Sequence, residues 1–168
     1  MTVAATRTTA ERVRLLVLDV DGVMTDGRLF FDAQGEALKV FHVQDGLGLK
    51  QVMRAGIEVA VISGRSSQAV SARCRELGIR LVEQACTDKV AALDRLLAQL
   101  RLSREQALCV VDDSSDLPLM RAVGLAVAVA DAHRSVLEAA DRVTTLNGGC
   151  GAVREVCDWL LAAREVKP

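Results

Sequence analysis

The chain has 168 residues, of which 51% are hydrophobic and 26% are charged, and these values are typical of one globular domain with a sizeable core. Its formal net charge is -1 and its lysines and arginines do not cluster, so nucleic acid and anionic membranes are not expected as partners. The chain has no tyrosine, one tryptophan and three phenylalanines, so few aromatic side chains are available for base stacking.

The N-terminal stretch MTVAATRTTAERVR contains no apolar segment of the length that a signal peptide needs. No later window reaches the ~20 apolar residues of a membrane span. We predict that residues 1–12 form a flexible N-terminal extension and that residues 13–164 form a single domain. The five cysteines are odd in number and scattered, and none is arranged as CxxC. This usage is typical of a reducing compartment, so we expect a cytoplasmic protein.

Short apolar runs alternate with amphipathic segments along the rest of the chain. The apolar runs predict five strands, at residues 13–18, 57–62, 80–82, 107–111 and 125–129. The amphipathic segments predict helices at residues 46–55, 67–77, 89–100, 116–122, 133–139 and 152–163. This alternation predicts an α/β fold with a parallel sheet that is covered by helices on both faces.

One segment interrupts the alternation. The residues GRLFFDAQGEALKVFHV, between the first strand and the first helix, contain two extended pieces on either side of Asp32-Ala33-Gln34-Gly35. We predict that this segment is a β-hairpin inserted after the first strand.

Polar residues follow the predicted strands at the edge of the sheet where ligands bind in parallel α/β folds. In chain order they are Asp19, Asp21 and Gly22, then Ser63, Gly64 and Arg65, then Lys89, then Asp112, Asp113 and Asp116. Each cluster by itself is also typical of a helix cap or a turn. Their joint occurrence at one edge of the sheet favours a functional site.

The residue types at this edge suit phosphoryl chemistry. Asp19, Asp21 and Asp112 would repel one another unless a cation lay among them, and carboxylate oxygens are the ligands that Mg²⁺ prefers. The Ser63 hydroxyl and the Lys89 ammonium can hold the other oxygens of a phosphoryl group. One carboxylate of the first pair can then attack phosphorus, and the other can act as general acid and base. Backbone N–H groups near Gly22 could add a phosphate cradle.

The motifs DVDGVMTDG, the serine of VISGR, Lys89 and DDSSD occur in the order of the four motifs of the haloacid dehalogenase superfamily. More narrowly, the chain resembles the capless 3-deoxy-D-manno-octulosonate 8-phosphate (KDO 8-phosphate) phosphatases in the segments DGLGLK and NGGCGAVREVCDWLL. The resemblance extends from about Val13 to Leu161. It implies a Rossmann-like fold without a cap domain, and hydrolysis of KDO 8-phosphate to KDO and phosphate in lipopolysaccharide biosynthesis.

The resemblance also implies a role for each motif residue. Asp19 would be the nucleophile and a metal ligand, and Asp21 would be the general acid and base and bind Mg²⁺ through its backbone carbonyl. Asp112 would complete the protein ligands of the metal. The remaining roles implied are phosphoryl binding by Ser63 and Lys89, substrate binding by Gly22, Gly64 and Arg65, and support of the metal site by Asp113 and Asp116.

A homotetramer is implied as well, in which the hairpins associate and a neighbouring subunit helps to close each site. The loop from Gly148 to Arg154 would reach an active site, either its own or a neighbour's. The chain departs from the family pattern at Val111, Gln44 and Ala85, where glycine, arginine and glycine are usual. These departures bear on how the metal and the substrate are bound.

Three other functions share part of this pattern. A two-component receiver domain also uses clustered aspartates, a hydroxyl and a lysine on a parallel sheet. In a receiver domain, however, an acidic pair follows the first strand and the phosphorylated aspartate follows a later one. This chain instead has Asp19 and Asp21 after its first strand and Asp112 and Asp113 after Lys89, so a receiver domain is disfavoured. A phosphatase for a related nonulosonate 9-phosphate is an alternative, although those enzymes tend to carry glutamate where this chain has Arg65. A phosphatase-like module that has lost catalysis and serves only in oligomerisation is the other alternative.

Overall fold

A computed structural model describes residues 10–165 of the chain. Its main sheet has six strands in the order β5-β4-β1-β6-β7-β8, and every neighbouring pair is parallel. The strands of this sheet are β1 (Leu15–Leu18), β4 (Glu58–Ile62), β5 (Leu81–Glu83), β6 (Ala107–Val111), β7 (Leu125–Ala128) and β8 (Arg142–Val143). The predicted parallel sheet is therefore confirmed.

Two groups of helices cover the sheet. They comprise α1 (Val43–Arg54), α2 (Gln68–Leu77), α3 (Lys89–Leu100), α4 (Leu117–Ala122), α5 (Arg134–Ala139) and α6 (Ala152–Glu165), with short 3-10 turns at Arg104–Gln106 and Ser114–Asp116. Helix α1 packs against α2 and α6, and α4 packs against α3 and α5. None of the helices found between residues 10 and 165 combines the length and apolar character that a bilayer crossing requires.

The central strands form where the sequence is apolar without alternation. Every residue of β1 and of β6 is buried, as expected for strands of a parallel sheet with helices on both faces. Burial of each leucine or valine side chain in such a strand contributes ~1.5–3 kcal/mol to folding. The edge strand β8 has only two residues and no apolar run, so it was not predicted.

The segment predicted as a hairpin forms a separate two-stranded antiparallel sheet, made of β2 (Phe30–Asp32) and β3 (Gly35–Leu38). The Asp32 carboxylate accepts a hydrogen bond of 2.8 Å from the backbone N–H of Gln34 and so closes the turn. Large apolar side chains around the hairpin remain exposed, and Phe31 is 61% exposed. The hairpin thus presents an apolar surface to solvent.

The order of strands places a crevice beside β1. The chain passes from β1 to β4 and β5 on one side, and then crosses to β6 on the other side of β1. In open parallel sheets ligands bind at such a reversal, beyond the carboxyl ends of the strands. Asp19, Ser63 and Asp112 directly follow β1, β4 and β6, so all three lie at this reversal.

The N-terminal extension that was predicted as residues 1–12 lies largely outside the described residues, which begin at residue 10. Residues 10–12 have helical backbone, and Ala10 is fully buried in the core.

Candidate active site

A cleft of about 340 Å³ opens at the carboxyl edge of the sheet. Its lining consists of Asp19, Asp21, Gly27, Ser63, Gly64, Arg65, Lys89, Asp112, Asp113 and Ser115. Every residue predicted for catalysis, substrate binding or metal binding lines this cleft, with the exception of Gly22. The lining also includes Gly27 and Ser115, which were not predicted.

Lys89 lies between two buried carboxylates. Its Nζ is 2.9 Å from Asp19 Oδ1 and 2.6 Å from Asp116 Oδ1. Lys89 is the first residue of α3, and the Asp88 carboxylate caps this helix by accepting a 2.9 Å hydrogen bond from the N–H of Ala91. Burial disfavours the ammonium, but the charges of Asp19 and Asp116 outweigh this effect and raise the pKa of Lys89. Lys89 therefore carries its charge into the cleft.

Three carboxylates lie close together, and two of them, Asp19 and Asp112, line the cleft. Each of Asp19, Asp112 and Asp116 offers an oxygen, and these atoms lie within 4.8 Å of one another. Burial, followed by the neighbouring charge of Asp19, raises the pKa of Asp112 to about 7 and that of Asp116 to about 6. Burial also raises the pKa of Asp19, although the Lys89 ammonium opposes this shift.

This acidic cluster suits a divalent cation. Asp112 Oδ1 is buried and has no hydrogen-bond partner within the described residues. A buried carboxylate oxygen without a partner is costly, and a small hard cation would satisfy it while offsetting the repulsion among the acids. Asp116, which the resemblance implies only as a support of the metal site, belongs to this cluster together with the predicted ligands Asp19 and Asp112.

The raised pKa values predict that the metal-free protein is less stable at pH 8 than at pH 5.5. In the unfolded chain these carboxyls titrate near 3.8, so protonation of Asp112 and Asp116 between pH 4 and 7 favours the folded state. This contribution is complete below the unfolded pKa and is lost as pH rises through the folded values. We expect the free energy of unfolding in urea, with EDTA present, to fall by about 2 kcal/mol between the two pH values.

With saturating Mg²⁺ the free energy of unfolding should instead rise from pH 5.5 to pH 8. The cation binds the deprotonated carboxylates, so it stabilises the folded protein more as these acids ionise. The Asp112→Asn variant is the control, and its unfolding free energy should depend less on pH. Equal free energies of the metal-free wild type at pH 5.5 and pH 8 would contradict the prediction.

Asp21 is held by two cations. Lys39 Nζ forms an ion pair with Asp21 Oδ1, and Arg65 Nε lies 3.7 Å from Asp21 Oδ2. Lys39 follows β3 of the hairpin, and its side chain is only 2% exposed. It was not among the residues predicted from the sequence, although a single lysine within the apolar stretch ALKVF was a signal that could have identified it.

Backbone hydrogen bonds fix Ser63 in the cleft wall. The Ser63 N–H donates to the Glu83 carbonyl over 2.9 Å, and the Ser63 carbonyl accepts from the Cys86 N–H over 3.0 Å. Ala85 lies in the loop after β5, and its N–H donates a 3.2 Å hydrogen bond to the Arg65 carbonyl. Its φ of 53° lies in the left-handed region that favours glycine, the residue usual in the family at this position. Ser63 is thereby held between the ends of β4 and β5, and its side chain lines the cleft.

Gly22 occupies a position where no side chain fits. Its φ is +85°, and a Cβ built on it would lie 2.0 Å from Asp112 Oδ2. Its N–H donates to the Thr25 hydroxyl over 3.4 Å, and Gly22 is not among the residues lining the cleft. The structure therefore explains this glycine by its approach to Asp112, while its role in substrate binding stays a prediction.

The glycine-rich loop before α6 contacts its own subunit. The Gly149 N–H donates to the Val23 carbonyl over 2.9 Å, and a Cβ on Gly148 would lie 1.7 Å from the Gly22 carbonyl oxygen. The loop thus packs against the turn that follows β1. Residues 148–154 are absent from the lining of the cleft.

Two of the departures from the family pattern lie away from the cleft lining. Val111 ends β6 with its side chain fully buried in the core. Gln44 is exposed in the first turn of α1. Neither residue is among those that line the cleft.

The chain is similar to known phosphatases in both sequence and structure. A family model described as haloacid dehalogenase-like hydrolase matches residues 81–156. A 3-deoxy-D-manno-octulosonate 8-phosphate phosphatase from Escherichia coli (strain K12) is 48% identical over 155 residues, which cover 92% of this chain and 82% of that protein.

Solved structures are similar over nearly the whole chain. The cobalt-bound deoxy-D-mannose-octulosonate 8-phosphate phosphatase of Haemophilus influenzae is 45% identical with a TM-score of 0.92, and the match covers 94% of this chain and 92% of that one. A second similar structure is the 3-deoxy-D-manno-octulosonate 8-phosphate phosphatase of Moraxella catarrhalis, in complex with magnesium, phosphate and KDO. It is 36% identical with a TM-score of 0.94, and the match covers 98% of this chain and 94% of that one.

Proposed function

Because the chain belongs to the KDO 8-phosphate phosphatase family of the haloacid dehalogenase superfamily, we propose that it hydrolyses KDO 8-phosphate to KDO and phosphate. The family consists of phosphoric monoester hydrolases. The observation that carries the proposal is the cleft, whose lining combines the acids Asp19, Asp21 and Asp112 with the residues Ser63 and Lys89. The Moraxella relative, which binds KDO and phosphate, supports the choice of substrate. The pathway we propose is lipopolysaccharide biosynthesis.

Mg²⁺ is the metal that we propose for this site. The Asp19 and Asp112 carboxylates and the backbone carbonyl of Asp21 would hold it, in keeping with the oxygen ligands that Mg²⁺ prefers. The buried, unpartnered Oδ1 of Asp112 supports this assignment. When bound, the ion would offset the negative charge of the phosphoryl oxygens and of the carboxylates of Asp19, Asp112 and Asp116. The magnesium complex of the Moraxella relative supports the choice of ion.

Catalysis proceeds in two steps under this proposal. Asp19 attacks phosphorus and forms an aspartyl-phosphate, while the bond from phosphorus to the sugar oxygen breaks and Asp21 donates a proton to that oxygen. Asp21 then accepts a proton from a water molecule that attacks phosphorus. The bond from phosphorus to Asp19 breaks, phosphate leaves and the Asp19 carboxylate is regenerated. Lys89 and Ser63 hold the phosphoryl oxygens throughout both steps.

Arg65 is the residue that we propose for recognition of the sugar acid. It lines the cleft beside Gly64, and its side chain is 45% exposed, so its guanidinium can reach a ligand. A planar guanidinium pairs with a carboxylate through two parallel hydrogen bonds. Arg65 would therefore hold the carboxylate of the anionic sugar acid at the part of the cleft that lies next to Asp21.

Phosphate release from KDO 8-phosphate, with and without Mg²⁺, tests the proposal. A nonulosonate 9-phosphate and p-nitrophenyl phosphate are measured beside it. Strong Mg²⁺-dependent release from KDO 8-phosphate is expected. Preference for the nonulosonate would favour that alternative substrate, and hydrolysis of none of the esters by folded, Mg²⁺-saturated protein would favour the non-catalytic oligomerisation module.

A homotetramer that associates through its hairpins is the assembly we propose. Several large apolar side chains in or next to the hairpin are exposed, namely Leu29, Phe30, Phe31, Leu38 and Val40. Contiguous exposed apolar surface of this kind is typical of an interface with another chain. A second copy of this chain would cover it.

Phe31→Asp is expected to dissociate this assembly, because it places a charge on the most exposed aromatic side chain of the hairpin. The measurement is molar mass by light scattering after size exclusion. Val143→Asp on the edge strand β8 is the control, since Val143 is 41% exposed but lies outside the hairpin. Unchanged mass of the Phe31 variant would contradict the hairpin interface.

We place the enzyme in the cytoplasm. All five cysteines are free, and Cys74, Cys109 and Cys157 are buried in the core. Cysteines used as small core residues rather than in disulfides are typical of a reducing compartment, which supports this placement.

A further inference from the structure

Two loops contact Asp112, one after β7 and the other after β1. Its backbone carbonyl accepts a hydrogen bond of 2.7 Å from the N–H of His133, in the loop after β7. Its carboxylate lies against Gly22 in the turn after β1, so closely that a Cβ on Gly22 would lie 2.0 Å from Oδ2. The position of Asp112 therefore depends on how these two loops are held relative to each other.

Asp131 and Gly148 join the two loops. Asp131 lies two residues before His133, and its Oδ1 accepts a hydrogen bond of 2.9 Å from the N–H of Gly148. Gly148 packs against the Gly22 carbonyl oxygen, which a Cβ on Gly148 would approach to 1.7 Å. The contacts thus run from Asp112 through the His133 loop to Gly148, then to Gly22, and back to the Asp112 carboxylate.

We propose that Asp131 and Gly148 are positioning residues of the catalytic centre, which set the separation between the turn carrying Asp21 and Gly22 and the carboxylate of Asp112. The inference rests on the proposed function, because it concerns the metal that Asp112 would bind. Neither Asp131 nor Gly148 lines the cleft, so both act through other residues.

The backbone at Gly148 supports this role. Among residues 10–165, seven glycines have a positive φ, and Gly148 is not one of them, so the backbone conformation at Gly148 does not require glycine. Glycine is required at position 148 because of the close approach to the Gly22 carbonyl, since any side chain there would displace Gly22 or the loop. Asp131 is exposed, so its carboxylate is not needed to fill the core.

Substitutions of Asp131 test the hydrogen bond. Asp131→Ala removes the acceptor for the Gly148 N–H, whereas Asp131→Asn keeps an oxygen that can accept the same bond. The matched control is Asp141→Ala, because Asp141 is also exposed and its Oδ2 accepts a 2.9 Å bond from the N–H of Ala126, in β7. That bond lies toward the opposite end of the sheet from the cleft. Gly148→Ala is the fourth variant.

Four quantities are measured on the full chain: the Kd for Mg²⁺ by titration calorimetry, kcat and KM with p-nitrophenyl phosphate and KDO 8-phosphate, and the midpoint of thermal unfolding. For Asp131→Ala we expect about tenfold weaker Mg²⁺ binding and about tenfold lower kcat, since loss of a residue that orients a metal ligand commonly has such an effect. Asp131→Asn should stay within about twofold of wild type because the bond is kept.

Gly148→Ala should weaken Mg²⁺ binding by more than Asp131→Ala does, because the added methyl group displaces Gly22 directly. Asp141→Ala should lower the unfolding midpoint and leave the Kd for Mg²⁺ unchanged.

The inference is overturned if Asp131→Ala binds Mg²⁺ as wild type does, if Asp131→Asn is impaired to the same extent, or if Asp141→Ala weakens Mg²⁺ binding equally. The proposed substrate is tested separately. If wild type binds Mg²⁺ and hydrolyses p-nitrophenyl phosphate but not KDO 8-phosphate, only that substrate is rejected, and the Mg²⁺ data still decide the role of Asp131. A wild type that binds no Mg²⁺ overturns both proposals.

Discussion

Asp19→Asn is expected to lower kcat for phosphate release by at least about 10³-fold, because the amide cannot form the phosphoenzyme through which the reaction proceeds. Asp19 directly follows β1, lines the cleft and lies 2.9 Å from Lys89 Nζ, so the substitution changes the nucleophile without altering the shape of the cleft. Phosphate release is measured with KDO 8-phosphate and with p-nitrophenyl phosphate, and both rates should fall.

The same substitution should not destabilise the metal-free protein at pH 8. Burial raises the pKa of Asp19, which means that its charged form is disfavoured in the folded state. A neutral amide of the same size removes that cost, so the unfolding midpoint should equal or exceed that of wild type. Loss of activity together with retained stability distinguishes a missing nucleophile from a misfolded variant.

Asp94→Asn provides the control for this prediction, because Asp94 lies on the exposed face of α3 and pairs with Arg104 over 2.7 Å, away from the cleft. Its kcat should match that of wild type. An Asp19→Asn enzyme that kept more than about a tenth of wild-type kcat would show that another group attacks phosphorus, since removal of a true nucleophile has far larger effects.

Lys89→Met is expected to abolish activity and to destabilise the metal-free protein in a pH-dependent way. The ammonium is paired with Asp19 and with the fully buried Asp116, and its removal leaves these acids without a compensating charge. Breaking a buried ion pair by removal of one partner costs about 3 kcal/mol or more. We therefore expect this loss of unfolding free energy at pH 8, where the acids are ionised.

At pH 5.5 the loss should be smaller. Asp112 and Asp116, whose pKa values are about 7 and about 6, can then take up protons and relieve the repulsion. Urea unfolding at both pH values measures the difference. A loss of equal size at pH 5.5 and pH 8 would mean that Lys89 stabilises the fold by packing and not by its charge.

The double variant Lys89→Met with Asp116→Asn separates the two roles of the lysine. Removing the charge of Asp116 should restore much of the stability, because the two residues are in contact and their effects are not additive. Activity should stay absent, because the ammonium that holds the phosphoryl oxygens is still missing.

Much of the site could be predicted because its residues directly follow strands that the sequence reveals. Asp19, Ser63 and Asp112 each come directly after a buried apolar strand, and parallel strands bring their carboxyl ends to one edge. Strands β1 and β6 were recognisable for the same reason, since their residues are apolar without alternation. Local sequence was sufficient for these features.

Other features depend on residues far apart in the chain. Lys39 reaches Asp21 from the hairpin, and Gly148 reaches Gly22 from the loop before α6. No periodicity or motif in a single sequence pairs such positions, because tertiary packing decides which segments meet. The position of Asp116 against Lys89 was missed in the same way, since the 3-10 turn at Ser114–Asp116 sets the direction of its side chain.

The contact between Gly22 and Asp112 has a consequence for how this enzyme can diversify. A substitution at Gly22 collides with the acid, and one at Gly148 collides with Gly22, so these positions are closed to mutation unless several change at once. Gly64, which lines the cleft beside Arg65, has more room, because a Cβ on Gly64 would meet only the Cys86 carbonyl oxygen, at 3.8 Å. Evolution of a new substrate preference, in nature or in a directed library, would therefore proceed through Gly64 and Arg65, while Gly22 and Gly148 are inherited unchanged.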